Sequence, residues 1–208
     1  DMVRFGGNLT IASTINYWVR NADNVLIGSI FGSAALGTYS KAYQLLSLPI
    51  AQINAPIAAV VIPAMSRLSP NSREYRRFYL RAIGVIALPG LIIATLSLAV
   101  AQPLVAVILG PKWAESAVMF WCLGPAILTS VLNVSAGWVF VTSGNAQRMA
   151  RWAACSGPFV IGSMIAGSFW GPRGVALGFS CTFMLQFPVM LCYAYRGTSI
   201  SFYDLAKT

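Results

Sequence analysis

The 208-residue chain contains no histidine, and only 5 of its residues are acidic. Without histidine, neither a Ser-His-Asp or Cys-His nucleophile system nor a His-ligated metal site can be built. The acids Asp1, Asp23, Glu74, Glu115 and Asp204 are nowhere paired closely in sequence. A membrane-embedded glycosyl- or acyltransferase needs an acidic metal-binding pair in an aqueous loop, and the longest loops have none. Charge of either sign is scarce, at 9% of residues against about 25% in soluble domains. With 57% hydrophobic residues, the chain reads as a membrane protein.

The few charges leave five charge-free runs, at 42–66, 82–111, 116–147, 152–172 and 174–195. A bilayer core is crossed by about 20 helical residues, so each run can hold one spanning helix. Residues 9–31 are long enough for a sixth, although Arg20 and Asp23 interrupt them. The expected architecture is an all-α, polytopic bundle of six transmembrane helices, at about 9–31, 36–63, 82–101, 117–142, 152–170 and 174–196. Gly32 and Gly37 bound a tight turn between the first two spans, and GPRG at 171–174 makes another. Segment 102–113 is apolar but ends in Gly110-Pro111, and reads as a short interfacial helix. Cys122, Cys155, Cys181 and Cys192 all lie in apolar runs without metal-like spacing, as small packing or lipid-facing residues.

Lys and Arg accumulate in cytoplasmic loops. Arg4, Arg67, Arg73, Arg76, Arg77, Arg81, Arg148, Arg151, Arg196 and Lys207 fall on one side of the alternating spans, and Lys41, Lys112 and Arg173 on the other. Both ends are therefore expected to be cytoplasmic. This assigns the net charge of +9 to topology and leaves no basic and aromatic surface for nucleic acid. The arginines of LSPNSREYRRFYLR (68–81), read as a loop, anchor the topology or meet a diphosphate headgroup.

Polar groups inside a span are costly, about 2.5–3.5 kcal/mol for a central Arg or Asp on insertion scales. Ser13, Asn16, Arg20, Asp23 and Asn24 share one helical stripe, and Arg20 and Asp23 can pair along it. On the second span Lys41, Gln44 and Gln52 fall within roughly 80° of one another. Such stripes either face a water-filled cavity or bond helix to helix. Pro49, Pro56 and Pro63 recur every seven residues and each removes an intrahelical hydrogen bond, so a bent or loosened helix is expected.

The pattern Arg20-x-x-Asp23-Asn24, followed by Gly32-x-x-x-Leu36-Gly37-x-Tyr39, resembles the bacterial polysaccharide exporters and lipid-linked oligosaccharide flippases of the multidrug/oligosaccharidyl-lipid/polysaccharide exporter superfamily. GWVFVTSGNAQRMARW (137–152) and GPRGVALGFS (171–180) are similar to later stretches of those exporters, in the same order. The resemblance implies a two-lobed bundle in the bacterial inner membrane, with this chain, 1–208, as its second lobe and a C-terminal fragment of a longer protein. It implies movement of a polyprenyl-diphosphate-linked oligosaccharide by alternating access, without a cofactor or catalysis. Membrane lipid, the missing first lobe, a polysaccharide polymerase and export machinery would be the partners. Arg20 would meet the diphosphate or an anionic sugar, with Lys41 as a second cation. Asn16, Asn24, Gln44 and Gln52 would bond sugar hydroxyls or water, and Asp23 would orient Arg20 or couple an ion. A cation-coupled drug antiporter of the same superfamily is the alternative, and a purely structural membrane subunit a further one.

The topology predicts that, with the native cysteines replaced, a cysteine at position 72 reacts with an impermeant maleimide only from the cytoplasm. One at position 112 should react only from outside; the reverse labelling would invert the assignment.

Overall fold

The computed structural model describes residues 2–200. Within them it describes all side chains except those of residues 2–5, 8, 9, 12, 15, 16, 19, 20 and 131. The helices are α1 (Met2–Ser66), α2 (Arg73–Ala99), α3 (Ala101–Ile108), α4 (Ala114–Thr142), α5 (Ala146–Ser168) and α6 (Gly171–Tyr195). A 3-10 turn at Pro111–Trp113 joins α3 to α4. Among the described residues no strand occurs, as expected where lipid cannot satisfy an open sheet edge. Four helical stretches there are long and apolar enough to cross a membrane: 21–66 of α1, α2, 111–142 and α6. The protein is an all-α, multi-pass membrane bundle.

Although α1 is 65 residues long, it is two helices joined at one residue. Gly32 takes φ 81° and ψ 178°, a conformation essentially confined to glycine. The chain reverses there, and the arms meet where Asp23 and Asn24 come against Tyr39 and Ser40. The turn expected across 32–37 is thus a single residue. Gly37 is helical instead, close under the ring of Trp113. Pro49, Pro56 and Pro63 all lie inside the second arm, where Gly32 is the non-helical position. The backbone therefore keeps helical angles through all three prolines, although each removes one intrahelical hydrogen bond.

A second difference concerns the basic segment read as a loop. Helix α2 starts at Arg73, well before residue 82, because Ser72 caps it: the Ser72 hydroxyl accepts from the Tyr75 N–H at 3.0 Å. Arg73, Arg76, Arg77 and Arg81 therefore stand on helix, on its first turns.

Two apolar clusters fill the bundle along its length. One, near the Gly32 end, gathers Ile27, Tyr39, Leu46, Phe120, Leu123 and Met164; the other gathers Met65, Tyr75, Tyr79, Ile86, Phe140 and Leu191. The polar tips of the second cluster are paired internally. The Tyr79 hydroxyl lies 3.1 Å from the Ser135 hydroxyl and 2.9 Å from that of Tyr195, and Tyr75 meets Thr142 at 2.6 Å. Beyond it, Arg148 donates to the Arg196 carbonyl, and Ser199 donates to the carbonyls of Pro70 and Ser72. These bonds gather Arg67, Arg73, Arg76, Arg77, Arg81, Arg148, Arg151 and Arg196 at one end of the bundle. Lys112 and Arg173 lie at the other, near the Gly32 reversal.

Helices α5 and α6 approach almost backbone to backbone. A Cβ added at Gly174 would sit 2.1 Å from the Gly167 carbonyl oxygen, and one at Gly178 would sit 2.4 Å from that of Ser163. The Ser163 hydroxyl donates to the Gly178 carbonyl at 3.1 Å across this contact. With lipid on the outside there is no water to drive helices together, so such small-residue contacts carry the association. Gly174→Ala should destabilise the fold by about 1–3 kcal/mol, because backbone must separate to admit the methyl group. Gly162→Ala, with nothing within 4 Å of the new methyl, should not destabilise it. Equal denaturation midpoints for the two variants in detergent would refute this account of the contact.

Candidate functional site

The polar residues singled out by sequence converge on the α1 hairpin. Because the chain reverses at Gly32, residue 23 comes opposite residue 39 and residue 24 opposite residue 40. The Tyr39 hydroxyl donates to Asp23 Oδ2 at 2.6 Å, and the Asn24 N–H donates to Oδ1 at 2.7 Å. The Ser40 hydroxyl donates to Asn24 Oδ1 at 3.2 Å. Asp23 is only 2% exposed and Tyr39 1%, so their bond is sealed between the arms. The Tyr39 ring stacks on Tyr43 at 6.3 Å, and Tyr43 meets Phe179 of α6 edge-on at 6.4 Å. Aromatic packing thereby ties the hairpin to the rest of the bundle.

Asp23 thus has a partner that the sequence reading did not name. Arg20 was expected to pair with it, but the Arg20 and Asn16 side chains lie outside the described ones. Tyr39 and Ser40 were missed as partners of Asp23 and Asn24. The signal was present in the separation of each pair, 16 residues spanning Gly32, which only a reversal at that residue makes meaningful.

Lys41, Gln44 and Gln52 are placed differently. All three are exposed on the second arm, on a side of the hairpin that the bundle leaves open, with Leu48, Ala51 and Ala55 between them. Ser13 of the first arm is also exposed, whereas Asn24 is half-buried. The described hydrogen bonds hold Asp23 and Asn24 helix to helix, while the cation and two amides of the second arm point outward. Asn54, close to Gln52 in sequence, turns inward and is 8% exposed. Proline at 56 leaves the Gln52 carbonyl without its usual intrahelical donor, adding an acceptor to the open side.

Fold and site together define a multi-pass membrane helical bundle with a hydrogen-bonded acid inside a helical hairpin and a polar stripe on its open face. Over residues 1–118 the sequence matches the family described as "Polysaccharide biosynthesis protein", and the chain belongs to that family. It is similar to teichuronic acid biosynthesis protein TuaB of Bacillus subtilis (strain 168), with 25% identity over 152 residues, covering 73% of this chain and 32% of TuaB. It is also similar to lipopolysaccharide biosynthesis protein WzxC of Escherichia coli (strain K12), with 31% identity over 114 residues, covering 53% of this chain and 23% of WzxC. The chain therefore spans about a third or less of the length of these curated relatives. No solved structure matches it.

If the Tyr39–Asp23 bond links the arms, Tyr39→Phe and Asp23→Asn should not act independently. A double-mutant cycle on detergent stability should give a coupling of about 1–2 kcal/mol. Additive effects would show that the two groups do not support each other.

Proposed function

We propose that this chain is one lobe of an exporter that moves a polyprenyl-diphosphate-linked oligosaccharide across the bacterial inner membrane by alternating access. The observation that carries the reading is the open face of α1. Lys41, Gln44 and Gln52 are exposed there in a helix otherwise suited to lipid. Polar and charged side chains at membrane depth need water, a partner or a ligand. A second bundle facing this one across a hydrated cavity supplies that setting, and the polysaccharide-related names of the family and its relatives supply the cargo class.

In this reading the diphosphate meets Arg20 first and Lys41 second, because guanidinium and ammonium donors suit phosphate oxygens. Asn16, Gln44 and Gln52 bond sugar hydroxyls or water, and Asn24 does so from the edge of the hairpin. Asp23 holds the geometry of the first arm through Tyr39, and as a carboxylate inside a span it is the group that would couple an ion to the movement. The membrane lipid, a polymerase and export machinery remain the partners, and both chain ends face the cytoplasm.

The charge of the open face favours this reading over the drug antiporter. A cationic cargo calls for exposed carboxylates, whereas Asp23 is buried and Lys41 exposed. Group transfer is disfavoured because the acids among the described residues, Asp23, Glu74 and Glu115, stand on three different helices, the latter two at opposite ends of the bundle. Arg20→Ala, expressed at normal levels within the full-length protein, should reduce surface polysaccharide by at least about tenfold, as expected when one charge-assisted contact is lost. Unchanged export would exclude Arg20 as the diphosphate contact.

A further inference from the structure

Arg73, Arg77, Arg81 and Val85 follow one another at four-residue intervals and so form a single row along α2. All four are exposed, and the row continues through exposed Leu88 and Ile92. The row therefore changes from cationic to apolar within a few turns. Two neighbouring hollows follow the same gradient. The first, about 420 Å³, is lined by Arg73, Glu74, Arg76, Arg77 and Leu80. The second, about 460 Å³, is a groove between α2 and the second arm of α1, walled by Pro56 and Val60 on one side and by Phe78, Ala82 and Val85 on the other. Among the described residues Arg81 is the one charged residue lining that groove, and it follows Leu80 of the first hollow directly.

A free phosphate would have no use for the groove, and a hydrocarbon chain none for the arginines. The pair fits a molecule that carries both. From Arg73 to Arg81 the helix rises about 12 Å, which is room for a phosphate headgroup and its glycerol before the chain enters between Val60 and Val85. Such a molecule is present in any membrane, and the arginine-rich end of a bundle draws anionic lipid at about 1 kcal/mol per basic residue.

The groove also faces away from the cargo stripe. By helical geometry the centre of the row Pro56, Ile57, Val60 and Val61 lies roughly 140° around the second arm from that of Lys41, Gln44 and Gln52, with Pro56, about 40° from Gln52, at the near edge. We infer that the α1–α2 groove and the arginines above it form a binding site for one anionic glycerophospholipid, with its phosphate on Arg77 and Arg81 and one acyl chain between Val60 and Val85. This lipid is a resident of the bundle, separate from the cargo. Its site does not depend on the cargo stripe.

The test is native mass spectrometry of the full chain, extracted in neutral detergent and supplied with phosphatidylglycerol, phosphatidylcholine or a polyprenyl diphosphate. One phosphatidylglycerol should be retained per chain, at least about tenfold more readily than phosphatidylcholine, from two arginines at about 1 kcal/mol each. Arg77→Gln with Arg81→Gln should abolish that preference, while Arg173→Gln at the other end should leave it intact. Val60→Trp fills the groove without touching the arginines and should also release the lipid, so the proposal stays testable if the arginine variant fails to fold. Equal retention of phosphatidylcholine, release by millimolar inorganic phosphate, displacement by equimolar polyprenyl diphosphate, or undiminished retention in Val60→Trp would each overturn it.

Discussion

Two membrane-spanning arms that pack side by side need a reversal that sets their register, and in α1 it is made at Gly32, at the end of the bundle where Lys112 and Arg173 lie. One residue at φ 81° and ψ 178° lets helix follow helix with no loop between. The register of the two arms follows from this. Asp23 arrives opposite Tyr39, and Asn24 opposite Ser40, close enough for direct bonds at 2.6 and 3.2 Å. A longer turn would slide the arms and leave a carboxylate in an apolar interior without its hydroxyl partner, a cost of several kcal/mol. With the inner side of the hairpin occupied in this way, Lys41, Gln44 and Gln52 are left on its open side.

The rest of the bundle handles polarity by the same economy. Helices α5 and α6 meet through Gly167, Gly174 and Gly178, where even a methyl group has no room. Tyrosine hydroxyls of the other apolar cluster are directed into each other and into Ser135 and Thr142, so large rings can be buried without stranded oxygens. Most of the described arginines gather at one end, with Arg173 at the other, where headgroups and water receive them. One consequence is that α2 begins as a cationic helix and becomes a lipid-facing one, with an apolar groove starting where its last arginine stands.

Much of this was legible in the chain's own residues. Stretches free of charge marked where helices run, and the alternation of Lys and Arg marked which ends lie together. Glycine and proline placed the reversals near residues 32 and 171. Less legible was the start of α2, because the Arg-rich segment before residue 82 has no long apolar run, and its helix depends on the local Ser72 cap. The width of the first reversal was also misjudged, since Gly37 looks like a turn residue until Trp113 is seen packed over it.

Within the site, residue type alone singled out Asp23, Asn24, Lys41, Gln44 and Gln52, because a polar group in a span is costly wherever it points. Direction was another matter. That Asp23 turns inward to Tyr39 while Lys41 turns outward depends on the rotation of one arm against the other, which a single glycine sets. Composition and charge spacing thus determined that the chain is an all-helical membrane bundle with most of its basic residues at one end. Only the packed structure decided which polar groups satisfy each other and which remain for another surface, because hydrogen bonds need contact within about 3 Å and sequence spacing alone cannot specify contact across a reversal.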